Sequence, residues 1–180
     1  MSDDRFLLLA PGEVRPGRIP LPAAFAVKAT TEDAEGRLSL LEVTVARDIP
    51  RHTHHVADEL IYVLEGELGV DFDDRTLTAT KGVFVLLPHG VAHALRCASS
   101  PPPRVLQISS PGGWECYLED LFEAGQSVLT DERLDPTKIN PIAAKYDIRY
   151  DEGTFTQVSD SMLRSPSARV MNSTPSEPRQ

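Results

Sequence analysis

The chain has 180 residues, 41% of them hydrophobic and 25% charged, with a formal net charge of −9. That length suits one sizeable domain, and the acidic excess repels phosphate backbones and argues against a nucleic-acid partner. Two cysteines, Cys97 and Cys116, make no disulfide framework and no CxxC pair, and no stretch reaches the ~20 apolar residues of a membrane span.

The opening, MSDDRFLLLAPGEVRPG, has an apolar run from Phe6 to Ala10. It is too short for a signal-peptide core and follows acids rather than lysines, so a cytoplasmic protein with reduced thiols is expected. Residues 1–20 hold three prolines among short apolar pieces. This predicts an N-terminal arm wrapped on a body.

From residue 21 to 112 strand signals dominate. Leu38, Leu40 and Leu41 lead into EVTVA, with alternation and β-branched residues. The run DELIYVLEGELGVDFDDRTLTATKG predicts short strands joined at Glu65-Gly66, Asp73-Asp74 and Lys81-Gly82. VFVLLPHGVAHALRC predicts strand, Pro-His-Gly turn and strand, and PPPRVLQISS one strand more. Turns at intervals of about 8–12 residues predict a mainly β sandwich or barrel.

Residues 113–156 change pattern. Trp114, Tyr117, Leu118, Leu121 and Phe122 have helical spacing, and Gly125 is a stop signal. A second short helix is expected to start near Pro136 or Pro141. The segment is read as a short helical C-terminal appendix packed on the outside of the barrel, with Trp114 as a helix anchor. Residues 157–180 are polar and rich in Ser, Pro and Arg, which predicts a disordered tail.

All five histidines fall between residues 52 and 93: His52, His54, His55, His89 and His93. Residues i and i+2 of a strand share a face, with Cα atoms ~6.6 Å apart. His52 and His54 can therefore lean toward one ion at ~2.0–2.1 Å per bond, while His55 points away. Glu59 begins a row with Ile61, Val63 and Glu65. If it faces inward, it opens an apolar row, and its carboxylate needs a cation or hydrogen-bond partners. Tyr62 lies on the opposite face and is read as packing. Pro88 and Gly90 make a tight turn, after which His93 begins a returning strand. His89 and His55 are expected to be exposed. Three imidazoles and one carboxylate would leave a divalent ion with one positive charge, favouring an anionic ligand.

PRHTHHVADELIYVLEGEL resembles the first motif of the cupin superfamily, and GVFVLLPHGVAHALRC resembles the second. The arm LLLAPGEVRPGRI, VKAT and SPGGWECYLEDL are similar to single-domain quercetin 2,3-dioxygenase-like cupins. The resemblance spans roughly residues 7 to 147. It implies a jelly-roll, or double-stranded β-helix, barrel. It also implies His52, His54, Glu59 and His93 as ligands of one divalent ion: iron, nickel, manganese, cobalt or zinc. The second motif usually ends in Asn, where this chain has Cys97. Counting by two from His93 puts Leu95 and Cys97 inward, Cys97 as a small core hydrophobe or a thiol lining the cavity. The first motif usually opens with Gly, where this chain has Ala46.

The function this implies is a metal-dependent dioxygenase acting on a phenolic or enolic small molecule, bound as its anion, with O2 as co-substrate and Glu59 as catalytic base. Two alternatives use the same ligands: a metal-assisted isomerase, lyase or cyclase that needs no O2, and a non-catalytic small-molecule-binding cupin. Barrel edges need covering, and the arm could reach across a two-fold axis, so a homodimer is expected. Neither nucleic acid nor membrane is expected as a partner.

Overall fold

The structure, a computed structural model, describes residues 6–153. The disorder expected for residues 157–180 lies outside the described residues. Two five-stranded antiparallel sheets form the body. The strands are β1 (Phe25–Ala29), β2 (Ser39–Thr44), β3 (Ile49–His54), β4 (Asp58–Glu65), β5 (Glu67–Phe72) and β6 (Arg75–Thr80). They continue as β7 (Phe84–Leu87), β8 (His93–Cys97), β9 (Arg104–Ser110), β10 (Leu129–Thr130), β11 (Arg133–Leu134) and β12 (Ile148–Tyr150). One sheet runs β1-β2-β9-β4-β7 and the other β12-β3-β8-β5-β6, with β10-β11 as a separate small ribbon. This is the mainly β jelly-roll architecture expected of the sequence.

Alternation selects the inner face, as strand pleating requires. In β2, Ser39, Leu41 and Val43 are buried between half-buried neighbours, and in β4 the buried set is Glu59, Ile61 and Val63. Tyr62, on the other face of β4, is exposed rather than packed. Register gathers polar residues into rows. Ser39 pairs with Ser109, Ser109 with Glu59, and Glu59 with Leu87 across the first sheet. Tyr150 pairs with His52, His52 with His93, and His93 with Phe72 across the second. The adjoining rows are apolar: Ile49 pairs with Leu95, which pairs with Val70. The barrel thus has an apolar half that carries the stability and a polar half that would be costly to bury without partners.

The hairpin from β4 to β5 turns at Gly66, whose φ is 75° and where a Cβ would lie 2.8 Å from the Pro103 Cα. A side chain there meets both a left-handed backbone and a collision. After β9 the Gly112-Gly113 turn leads into α1 (Trp114–Ala124). Trp114, Tyr117, Leu118 and Leu121 are its buried apolar residues, and Gly125 ends it, its N–H donating to the Phe122 carbonyl. The second helix, α2 (Pro136–Ala143), begins at the first of the two prolines singled out. Asp135 caps it by accepting from the Thr137 N–H, and Pro136 fills the first turn, where no N–H partner is needed.

The appendix is not purely helical. After α2 the chain returns to the barrel as β12, which pairs with β3 along Ile148–His54, Arg149–Thr53 and Tyr150–His52. It covers an edge that would otherwise expose the β3 backbone. The arm is strapped to its own chain. The Arg15 N–H donates to the Val27 carbonyl, and Arg18 reaches Glu119, Asp120 and Glu123 of α1. No described helix is long and apolar enough to cross a membrane.

Candidate metal centre

His52 and His54 project from one face of β3, and His93 is the register partner of His52 on β8. Glu59 projects from β4 of the other sheet. The two sheets thus contribute unequally, three imidazoles from one and a carboxylate from the other. Each residue offers one ligand atom, and these atoms all lie within 4.8 Å of one another. All four are deeply buried, at 1% (His52), 4% (His54), 2% (Glu59) and 1% (His93) exposure. Ring centroids are 4.5 Å apart for His52–His93 and 5.0 Å for His52–His54.

Two backbone contacts set the tautomers. The Nδ1 of His52 lies 2.8 Å from the Pro50 carbonyl, and that of His93 2.9 Å from the Val91 carbonyl. A carbonyl only accepts, so Nδ1 carries the proton in both rings. That leaves each Nε2 lone pair directed at the cluster, the usual arrangement behind a metal-bound imidazole. The Nε2 atoms of His52 and His54 are buried without hydrogen-bond partners. Glu59 Oε2 sits 3.1 Å from His93 Nε2 and 3.4 Å from His54 Nε2. Lone pairs and a carboxylate oxygen converging in a buried space demand a positive charge among them. A single divalent cation meets that demand, and the donor set of three nitrogens and one oxygen suits iron, nickel, manganese, cobalt or zinc.

Protonation follows the same logic. Burial pushes the pKa of His52 down to about 3, and His93 and His54 add to the shift. Burial opposes the charged forms of Glu59 and His93 too, but their mutual attraction outweighs it. Glu59 is held well below the carboxylate range by its contacts with His54 and then His93, and His93 is raised by Glu59. Without an ion, one proton on the His93–Glu59 pair is the nearest substitute for it.

Other residues singled out from the sequence lie apart. His55 and His89 are exposed, and Asp58 accepts from both the N–H and the Nδ1 of His89. Cys97 is half-buried at the far end of β8, its thiol 3.4 Å from the Ser99 carbonyl, and is not among the clustered ligands. The Pro-His-Gly turn does support the site: the Gly90 N–H donates to the His54 carbonyl at 2.7 Å.

Sequence reasoning missed Gln107. Its Nε2 donates to Glu59 Oε1 at 2.7 Å, leaving Oε2 for the histidines. Counting by two along RVLQISS puts Gln107 inward between Val105 and Ser109, and a buried amide amid apolar residues is a detectable signal. Trp114, Tyr117 and Tyr150 form an aromatic wall from the appendix. Tyr150 stacks on His52 at 4.9 Å, Trp114 tilts against His54 at 5.3 Å, and the Tyr117 hydroxyl donates to that of Tyr150 at 2.9 Å. Beside them lies a cavity of about 190 Å³ lined by His54, Ser109, Trp114, Lys145, Asp147 and Ile148, among others.

A cupin domain is matched over residues 39–109. Germin-like protein 1-1 of Oryza sativa subsp. japonica is 30% identical over 164 residues, covering 81% of this chain and 74% of that protein. Among solved structures, a cupin-2 domain protein from Shewanella frigidimarina is 23% identical, with a TM-score of 0.43 over 51% of this chain and 84% of that one. Ectoine synthase from P. lautus is 22% identical, with a TM-score of 0.43 over 54% and 72%. With a buried cluster of three histidines and one glutamate in a jelly-roll barrel, and a relative of this identity and coverage, the chain belongs to the cupin superfamily.

Proposed function

We propose that this cupin is a metal-dependent dioxygenase acting on a phenolic or enolic small molecule. The observation that supports it is the buried convergence of His52, His54, Glu59 and His93, with the Nε2 atoms of His52 and His54 left without hydrogen-bond partners. A divalent ion held there would supply Lewis acidity and, if redox-active, electron transfer to O2. The residual charge of such a site favours a substrate bound as its enolate or phenolate.

The chain's own residues hold and orient. Pro50 and Val91 carbonyls fix the rings of His52 and His93. Gln107 fixes Oε1 of Glu59 and leaves Oε2 facing the histidines, the oxygen that would take up the substrate's hydroxyl proton. The aromatic wall keeps bulk water from the histidines. In this reading Glu59 is the catalytic base. The test pairs metal analysis of untagged protein with an oxygen-electrode screen of enols and phenols. Stoichiometric redox-active metal with O2 uptake supports the reading; equal turnover without O2, or with zinc, replaces it with isomerase, lyase or cyclase chemistry.

The proposal includes a homodimer in the cytoplasm. Tyr62, Phe84 and Leu86 are exposed side by side on the outer face of β4 and β7, with Tyr62 paired to Phe84. A flat apolar patch of this kind is self-complementary about a two-fold axis. Light scattering should give twice the chain mass of 19.8 kDa. A monomer that stays monomeric at high concentration rejects the pairing.

A further inference from the structure

The chain's one tryptophan and three of its four tyrosines form a single network that starts at the metal cluster. Centroid to centroid, Trp114 lies 5.3 Å from His54, Tyr117 5.2 Å from Trp114, and Tyr146 5.7 Å from Tyr117. A second branch runs from His52 to Tyr150, 4.9 Å away, whose hydroxyl accepts from that of Tyr117. Both branches meet at Tyr117. Contacts of this length are ordinary aromatic packing, but the outer end has features that packing does not require. Trp114, Tyr117 and Tyr150 are buried, whereas Tyr146 is half-buried. The Tyr146 hydroxyl donates to the Cys116 carbonyl, and the Asp120 carboxylate stands close enough to interact with the same hydroxyl. Burial and then Asp120 push its pKa up to about 12, so the phenol is protonated at rest. Tyr117, by contrast, donates to a second phenol, a far weaker proton acceptor than a carboxylate.

We propose that the Trp114–Tyr117–Tyr146 chain carries one oxidising equivalent from the metal centre to the protein surface when the centre meets a peroxide without its substrate, and that the equivalent comes to rest on Tyr146 as a radical. The proposal rests on the metal-dependent reading above and adds a second function, sparing the ligand histidines from oxidation. Electron transfer weakens steeply with distance, so successive steps between rings in contact outrun one long step. Tryptophan and tyrosine can each give up one electron and be restored. A phenol that does so becomes a strong acid and needs a base. Asp120 serves even though Lys145 holds it below its usual carboxylate range. Tyr117 has no carboxylate in that role and acts as a conduit. The step balances with iron in the site. Hydrogen peroxide takes two electrons and two solvent protons and becomes two waters. One electron comes from the divalent iron, left trivalent, and the other from Tyr146, whose phenol proton passes to Asp120. A thiol or ascorbate at the surface then returns one electron, and the proton goes back to Tyr146.

The test uses protein loaded with ferrous iron, and iron content is measured first. Absence of bound iron overturns the metal reading and this proposal together. With iron bound, one equivalent of hydrogen peroxide is added without substrate and the sample is frozen for electron paramagnetic resonance. A tyrosyl radical should appear, and its hyperfine splitting should collapse in protein made with ring-deuterated tyrosine. Tyr146→Phe should abolish that signal while iron stays bound. Tyr117→Phe, which cuts the point where both branches meet, should abolish it too. Tyr62→Phe, which removes the one tyrosine outside the network, should leave it intact. Where a variant fails to fold, a spin trap on the wild-type protein followed by peptide mapping locates the radical, and a label on Tyr146 supports the relay. Bound iron with no tyrosyl radical, a full signal in Tyr146→Phe or Tyr117→Phe, or a label on Tyr62 instead overturns the relay and leaves the metal site standing.

Discussion

His52 and Tyr150 face one another across the β3–β12 ladder, their rings 4.9 Å apart and 21° from parallel. A histidine of the metal cluster thus leans on the last strand among the described residues. The Tyr150 hydroxyl accepts from Tyr117 of α1 in a buried setting, tying the appendix to the barrel at the site itself.

That hydroxyl pair should behave as a coupled unit. Tyr150→Phe removes the acceptor of a buried donor and should lower stability by about 1–3 kcal/mol. Tyr117→Phe should do likewise. The double variant should lose less than the sum, because neither hydroxyl is then orphaned. Denaturant melts of the three variants measure this, and strict additivity would mean that the hydrogen bond contributes nothing.

The lone tryptophan reports on the cluster. Trp114 stands beside His54, so cobalt or nickel bound there should quench the chain's tryptophan emission with a one-to-one endpoint. His93→Ala should abolish stoichiometric quenching, while His55→Ala, an exposed position, should leave it intact. Equal loss from both variants would place the ion elsewhere.

Metal uptake should release protons. His93 is raised above its ordinary value of 6.5: burial opposes its charge, but the hydrogen bond and charge of Glu59 prevail. Below that raised pKa an incoming ion must displace a proton from His93, so affinity rises with pH through this range and levels off above it. Calorimetry at pH 7 in buffers of different ionisation enthalpy should detect release of up to about one proton per ion. Heats identical across buffers would contradict a protonated His93 in the metal-free site.

Gln107 should matter through Glu59 alone. Gln107→Leu keeps the volume and removes the donor to Oε1, and should weaken metal binding roughly 10–100-fold, the usual effect of losing an orienting contact behind a ligand. Competition against a chromogenic chelator gives the number. Unchanged affinity would show that the barrel wall alone orients the carboxylate.

Much of the site was legible because it obeys short-range rules. The two-residue step from His52 to His54 and the Glu59, Ile61, Val63 row follow from strand pleating, and both face inward. His93 follows from a turn with Pro88 and Gly90 at known places. Tyr62 shows the limit of the same rule: alternation places it on the outer face but does not say whether anything covers that face. Tyr150 was not legible at all. Three residues of β12 follow a helix and a left-handed turn at Asp147, and their pairing with β3 is a contact about a hundred residues long-range, which no local pattern encodes. Trp114 was read by its helical spacing as an anchor. It is buried as an anchor should be, but its neighbour His54 comes from a distant strand.

Chain order has a consequence for assembly. By Ser110 a ribosome has synthesised every strand of both sheets except β12, and with them all four donor side chains. The strand that stacks Tyr150 on His52 emerges forty residues later, after two helices have formed. There is therefore an interval during biosynthesis when the donors exist without their roof, and an ion entering then would meet a far more open vestibule than the finished fold presents.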